Sequence, residues 1–94
     1  MLPESDRSGN AVLYSDNWEP IDVSSSNFKP GKSFSLLVGQ AGKLRVRGAG
    51  MDRVKAGDIE AIPVQQGYNP IICTEILYHA TDNTAADIWA LYAR

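Results

Sequence analysis

The chain has 94 residues, 44% hydrophobic and 21% charged, which suits one small globular core and leaves no room for two. Its net charge of −2 argues against a dedicated nucleic-acid binder, which carries a clear basic excess. One cysteine, Cys73, and one histidine, His79, exclude an internal disulfide framework, a multi-thiolate zinc site and a poly-histidine metal site.

Met1 to Asn10 is polar, is broken by Pro3 and Gly9, and follows no period. It reads as an extended N-terminal arm (residues 1–10), mobile alone or laid on a neighbour. It lacks the basic and apolar regions of a secretory signal, and no apolar run approaches the length of a membrane-spanning helix. No membrane contact is therefore expected. Ala11–Tyr14 and Trp18–Val23 are short apolar patches, Ser24–Asn27 is loop material, and Pro30-Gly31 is a turn signal.

From there the pattern is that of strands. Phe34, Leu36 and Val38 alternate with Ser33, Ser35 and Leu37. Gly39–Gly42 has the length of a hairpin connection. Lys43–Arg47 then sets Leu44 and Val46 on one face and three cations on the other. Two further short strands are expected at Asp52–Lys55 and Ile59–Val64, a turn at Gly67–Pro70, a strand at Ile71–His79, a second hairpin connection at Thr81–Thr84 and a last strand at Asp87–Tyr92. In that last strand Ile88, Ala90 and Tyr92 share one face, and Trp89 and Leu91 the other. Thr84–Arg94 also contains good helix formers, but Ile88, Trp89 and Tyr92 favour a pleated surface. The expected fold is all-β: a small antiparallel β-sandwich, jelly-roll-like, over residues 11–94.

Little in the sequence points to catalysis. Gly31-Lys32-Ser33 ends like a phosphate-binding loop, but Ser26 stands where the motif needs a glycine, and a strand follows in place of a helix. Gly48-Ala-Gly50 opens like a dinucleotide fingerprint, but Arg53 occupies the third glycine position. Cys73 and His79 lie on one expected strand at a separation of roughly 20 Å, too far for a dyad. The eleven carboxylates are scattered, with no pair forced together. No enzymatic activity, cofactor or metal is expected.

Surface recognition is better marked. Residues 1–22 carry a net −4, residues 29–55 a net +6, and residues 56–94 a net −4. Chains patterned in this way attract their own kind, basic face to acidic face. Lys43, Arg45 and Arg47 form a one-sided cationic strand face, which reads as a contact for an acidic partner or as a solvated guard against edge pairing. It has no interleaved aromatic residues for stacking bases, so no nucleic acid is expected. Two tryptophans are a large apolar load for so small a core. Trp18, Trp89 and Tyr92 are therefore candidate interface residues together with the three cations, and a homo-oligomer is expected.

Residues 34–46, Phe-Ser-Leu-Leu-Val-Gly-Gln-Ala-Gly-Lys-Leu-Arg-Val, resemble a hairpin of a family of small phage and prophage proteins. Ile-Pro-Val (62–64) and Ala-Thr-Asp-Asn-Thr-Ala-Ala-Asp-Ile-Trp-Ala-Leu-Tyr (80–92) are similar to that family's ending, and Ile-Asp-Val-Ser-Ser-Ser (21–26) to an upstream segment. The family is the spike-base type of structural protein of tailed phages and gene-transfer-agent particles. The resemblance implies a β-sandwich that assembles into a ring on the virion, often on the head, and carries a fibre. Its implied partners are further copies of itself and other virion proteins, such as the major capsid protein or a fibre. Asp82-Asn83 departs from the family's Gly-Thr turn, Gly67–Pro70 is longer than the usual link, and the first 20 residues have no counterpart there. A capsid decoration (cement) protein and a carbohydrate-binding adhesion module are the alternative readings.

Overall fold

The computed structural model describes residues 15–93, the side chain of Ala93 excepted. The expected arm and the Ala11–Tyr14 patch lie outside the described residues. Six strands follow in order: β1 (Ser15–Pro20), β2 (Phe34–Gln40), β3 (Gly42–Gly48), β4 (Ala61–Val64), β5 (Gly67–Leu77) and β6 (Ala86–Ala93). A single 3₁₀ turn at Ala56–Asp58 is the only helical element among the described residues. All strand pairs are antiparallel and all six strands belong to one sheet, in the order β1-β6-β2-β5-β3-β4. The all-β class expected from the period-two alternation is the class of this fold, and Thr84–Arg94 supplies a strand, not a helix.

The pairing differs from the expected one at two places. Gly39–Gly42 does not close a hairpin. Ala41 alone separates β2 from β3, and both run antiparallel to β5, on its opposite edges: Phe34 and Gly48 are each registered with Cys73. The chain bends at 39–42 without reversing. The reason lies in the alternation itself, since Phe34, Leu36, Val38, Leu44 and Val46 all remain buried across the connection. Gly42 permits the bend's close packing: a Cβ there would stand 2.5 Å from the amide nitrogen of Ala85 and 2.7 Å from the carbonyl carbon of Thr84.

Nor is Thr81–Thr84 a hairpin connection, because β6 pairs with β2 and β1 and never with β5. The 82–85 link instead runs beside the start of β3, where the β5 ladder has ended, and the Asn83 side-chain amide donates back to the Leu77 carbonyl at 2.8 Å. Thr84 and Ala85 donate their amides to the Lys43 carbonyl (2.9 and 3.2 Å). The Thr84 hydroxyl accepts from the Lys43 amide (2.9 Å), and the Asn83 side-chain Oδ1 accepts from that of Arg45 (2.9 Å). The link thus takes the place of a missing neighbour strand for β3.

Two local expectations are also corrected. Asp52–Lys55 is a turn and not a strand; it wraps the Arg47 guanidinium, which takes the carbonyls of Met51 and Val54 (2.6 Å each). Gly67–Pro70 is the first part of β5, and the turn lies just upstream. There Gly67 adopts φ +96°, and the buried Asn69 amide bonds the Gln65 amide and carbonyl (both 2.9 Å). Pro70, with no amide proton to give, sits where the β2–β5 register slips and past the last β3 partner.

The single sheet therefore folds over on itself, and the core fills the inside of the fold. Phe34, Leu36, Val38, Leu44, Val46, Val64, Cys73, Ile76, Ile88, Ala90 and Tyr92 form one buried cluster. Phe28, bridged to Ile76, stacks edge-on to Phe34 at 5.4 Å between ring centroids, and Phe34 does the same to Tyr92 at 6.2 Å.

Candidate interaction face on strands β1, β6 and β2

Strand alternation sends every second residue away from the core. In β6 the inward set is Ile88, Ala90 and Tyr92, which leaves Trp89 and Leu91 outward. Leu37 of β2 is registered with Trp89, and Trp18 of β1 with Leu91. These four side chains line an open groove of about 370 Å³. Trp18 is 59% exposed and Leu37 41% exposed, far more than large apolar groups on a closed surface need to be. Tyr68 of β5, registered with Leu37, extends the apolar stripe across a fourth strand.

The groove has one rigid wall. The Trp89 indole N–H donates to the Asp87 carboxylate at 3.0 Å. Asp87 holds a φ of +56°, a left-handed conformation that aspartate tolerates better than most residues, and its side chain packs where a Cβ on Gly39 would stand. Together Asp87, Trp89 and Gly39 set the ring's orientation.

The edge beside the groove is acidic. Ser15–Asp22 contains Asp16, Glu19 and Asp22, and Ala86–Ala93 contains Asp87, with no basic residue in either segment. Glu19 accepts a hydrogen bond from the Tyr92 hydroxyl at 2.9 Å. Burial, with this bond and the nearby carboxylate charge, pushes the Tyr92 phenol up to about 12. Asp22 accepts from the Ser24 amide at 3.0 Å, which holds its carboxyl below the ordinary value.

Trp18 and Trp89 thus share the face. Tyr92 points into the core and meets the edge only through its hydroxyl. Lys43, Arg45 and Arg47 alternate on β3 as expected, but the two arginines are occupied within the chain. Arg45 grips Asp82 through Nε and Nη2 (3.0 and 2.7 Å) and the Ile59 carbonyl through Nη1 (2.9 Å). The guanidinium holds the Asp82 carboxyl below the ordinary range. Arg47 pairs with Glu75 at 3.1 Å, with both side chains largely buried (15% and 11% exposed). Lys43 remains exposed.

Cys73 lies in the core, where burial pushes its thiol up to about 12. The His79 Nδ1 accepts from the amides of Thr81 and Asp82 (3.2 and 3.0 Å), so it shapes the turn after β5. Among the described residues no cluster of histidine, cysteine and carboxylate side chains could hold a metal ion.

Leu37, Leu91 and Asp87 are the residues of this face that site-by-site reading of the sequence passed over. The outward parity of two large apolar residues in β6 was the available signal. The Asp87–Gly39 contact joins distant segments and has none.

No protein-family model matches this chain, and neither a curated protein nor a solved structure matches it.

Proposed function

We propose that this chain is a non-catalytic structural protein of a tailed-phage or phage-like virion. It forms an oligomeric base for a spike or fibre on the particle, on the head, and packs against its neighbours through the β1-β6-β2 face. The motif resemblance supports the virion setting. The observation that carries the assembly role is the groove of Trp18, Leu37, Trp89 and Leu91, which opens outward. Removing one tryptophan from water buries roughly 150–250 Å², worth a few kcal/mol at about 25 cal/mol per Å². A ring repeats that contact in every subunit, so modest individual contacts suffice. Two tryptophans on one face would also suit a stacked sugar. The groove lining is four apolar side chains, however, and sugars need convergent polar groups, so a protein neighbour fits better.

Sedimentation of the isolated protein at micromolar concentration tests this reading. The wild type is expected to associate. Trp18→Ser and Leu37→Ser are expected to weaken association about tenfold or more while the β-type circular dichroism is unchanged. Association that ignores both substitutions would overturn the role of the face.

A further inference from the structure

The groove's surroundings identify what covers it. Residues 15–22 and 86–93, which carry Trp18 and Trp89, hold four carboxylates and no base, so an occupant needs apolar groups and positive charge. The edge strand β1 does not suit pairing with another β1. An antiparallel match centred between Asn17 and Trp18 would set Asp16 opposite Glu19, and like charges directly opposite are destabilising.

The same chain displays a surface of the opposite sign. The segment from Phe28 to Ser33 contains Lys29 and Lys32 and no acid. It is a tight turn: Gly31 holds φ +87°, with Pro30 before it. Lys29 and Lys32 are both exposed. Lys32 lies over the ring of its own Tyr92, 4.0 Å from the centroid, so the basic turn stands at the end of β6 on its inner side, opposite to Leu91. A basic turn and an acidic apolar face therefore lie on opposite sides of β6 in one molecule. The turn of one copy can then meet the face of the next, a head-to-tail contact that repeats from subunit to subunit and closes into a ring where the rotation permits.

We propose that the β1-β6-β2 face is covered by a second copy of this chain, whose Lys29–Lys32 turn meets the carboxylates beside the Trp18–Trp89 groove. The inference rests on the assembly role given above and names the partner at that face.

The test is a charge swap followed by sedimentation, with circular dichroism to confirm folding. One variant carries Lys29→Glu and Lys32→Glu, the other Asp16→Lys and Asp22→Lys. Each alone should associate at least about tenfold more weakly than wild type in low salt, and an equimolar mixture should recover association, because both contacts regain opposite charges. If Asp16→Lys with Asp22→Lys does not fold, Asp16→Asn with Asp22→Asn replaces it, and its expected effect is a smaller loss in the same direction. Wild-type association should also weaken as salt rises from 50 mM to 0.5 M. If the mixture stays monomeric, or neither variant loses association, the second-copy assignment is overturned. If Trp18→Ser abolishes association in that case, the face stands and only its partner changes. If Trp18→Ser has no effect either, the face itself falls.

Discussion

Arg47 shows how a side chain's worth is set by what it leaves behind. Its guanidinium satisfies Glu75 and two turn carbonyls in a place with little water. Arg47→Met keeps the bulk of the stem but leaves a mostly buried carboxylate with the Asn27 amide in place of a counter-charge. The expected loss is about 3 kcal/mol of unfolding free energy, and Glu75→Gln in the same background should restore part of it. Denaturant titration of the two single variants and the double variant measures both. Ser35 presents the reverse case. Its hydroxyl is buried and has no hydrogen-bond partner among the described residues. Ser35→Ala should leave stability unchanged or raise it by up to about 1 kcal/mol in the same titration. Cys73 offers a third measurement. Its thiol is raised to about 12, so it stays protonated at pH 8, and a thiol-alkylating reagent should modify it only as fast as the core opens. Labelling at the rate of a free thiol in the native protein would contradict its place in the core.

At the scale of elements, the link from β5 to β6 is tied to β3 by backbone bonds and by the Arg45–Asp82 pair. Hydrogen bonding to Arg45 lowers the Asp82 carboxyl from its ordinary 3.8. A depressed acid stabilises the fold above its unfolded value, and that contribution is lost as pH falls through the folded value. The melting temperature of Asp82→Asn should therefore lie below wild type at pH 7, and the gap should close as pH drops below about 4. A gap that persists unchanged at pH 2.5 would assign the loss to packing.

The strands themselves were legible in the sequence because alternation is local. Phe34 to Val38, Leu44 with Val46, and Ile88 to Tyr92 each declare an inner face within five residues. The partners were not legible. Gly39–Gly42 has a hairpin's length and composition, and only the arrival of β5, some 25 positions later in the chain, makes it a bend. Arg45 and Arg47 alternate as a surface stripe would, but Asp82 and Glu75, which occupy them, are distant in sequence. Half of the interaction face was visible as surplus tryptophan. The rest depended on which strands lie side by side, and period-two patterning is silent about that.

At the scale of the whole molecule, four of the five strand pairings join segments that are not neighbours in sequence; only β3 with β4 does. Topologies of this kind close loops before contacts reward them, so refolding should be slow for the chain's length, on the order of milliseconds to seconds. Stopped-flow tryptophan fluorescence checks this, and a submillisecond phase carrying the full amplitude would contradict it.

The position of β6 bears on synthesis as well as on stability. It follows the other five strands in the chain, but it lies between β1 and β2. On the ribosome, β1 leaves the exit tunnel before the other five strands and finds no ladder to join until residues 86–93 follow it out. The nascent chain meanwhile carries an unpaired edge on β2 and an unanchored leading strand, both of which invite wrong pairings between polysomal neighbours. Emergence of residues 86–93, and not of the earlier strands, is therefore the step that commits these six strands to their sheet. A stop codon within β6 would remove an inner strand of the sheet and leave β1 without its partner.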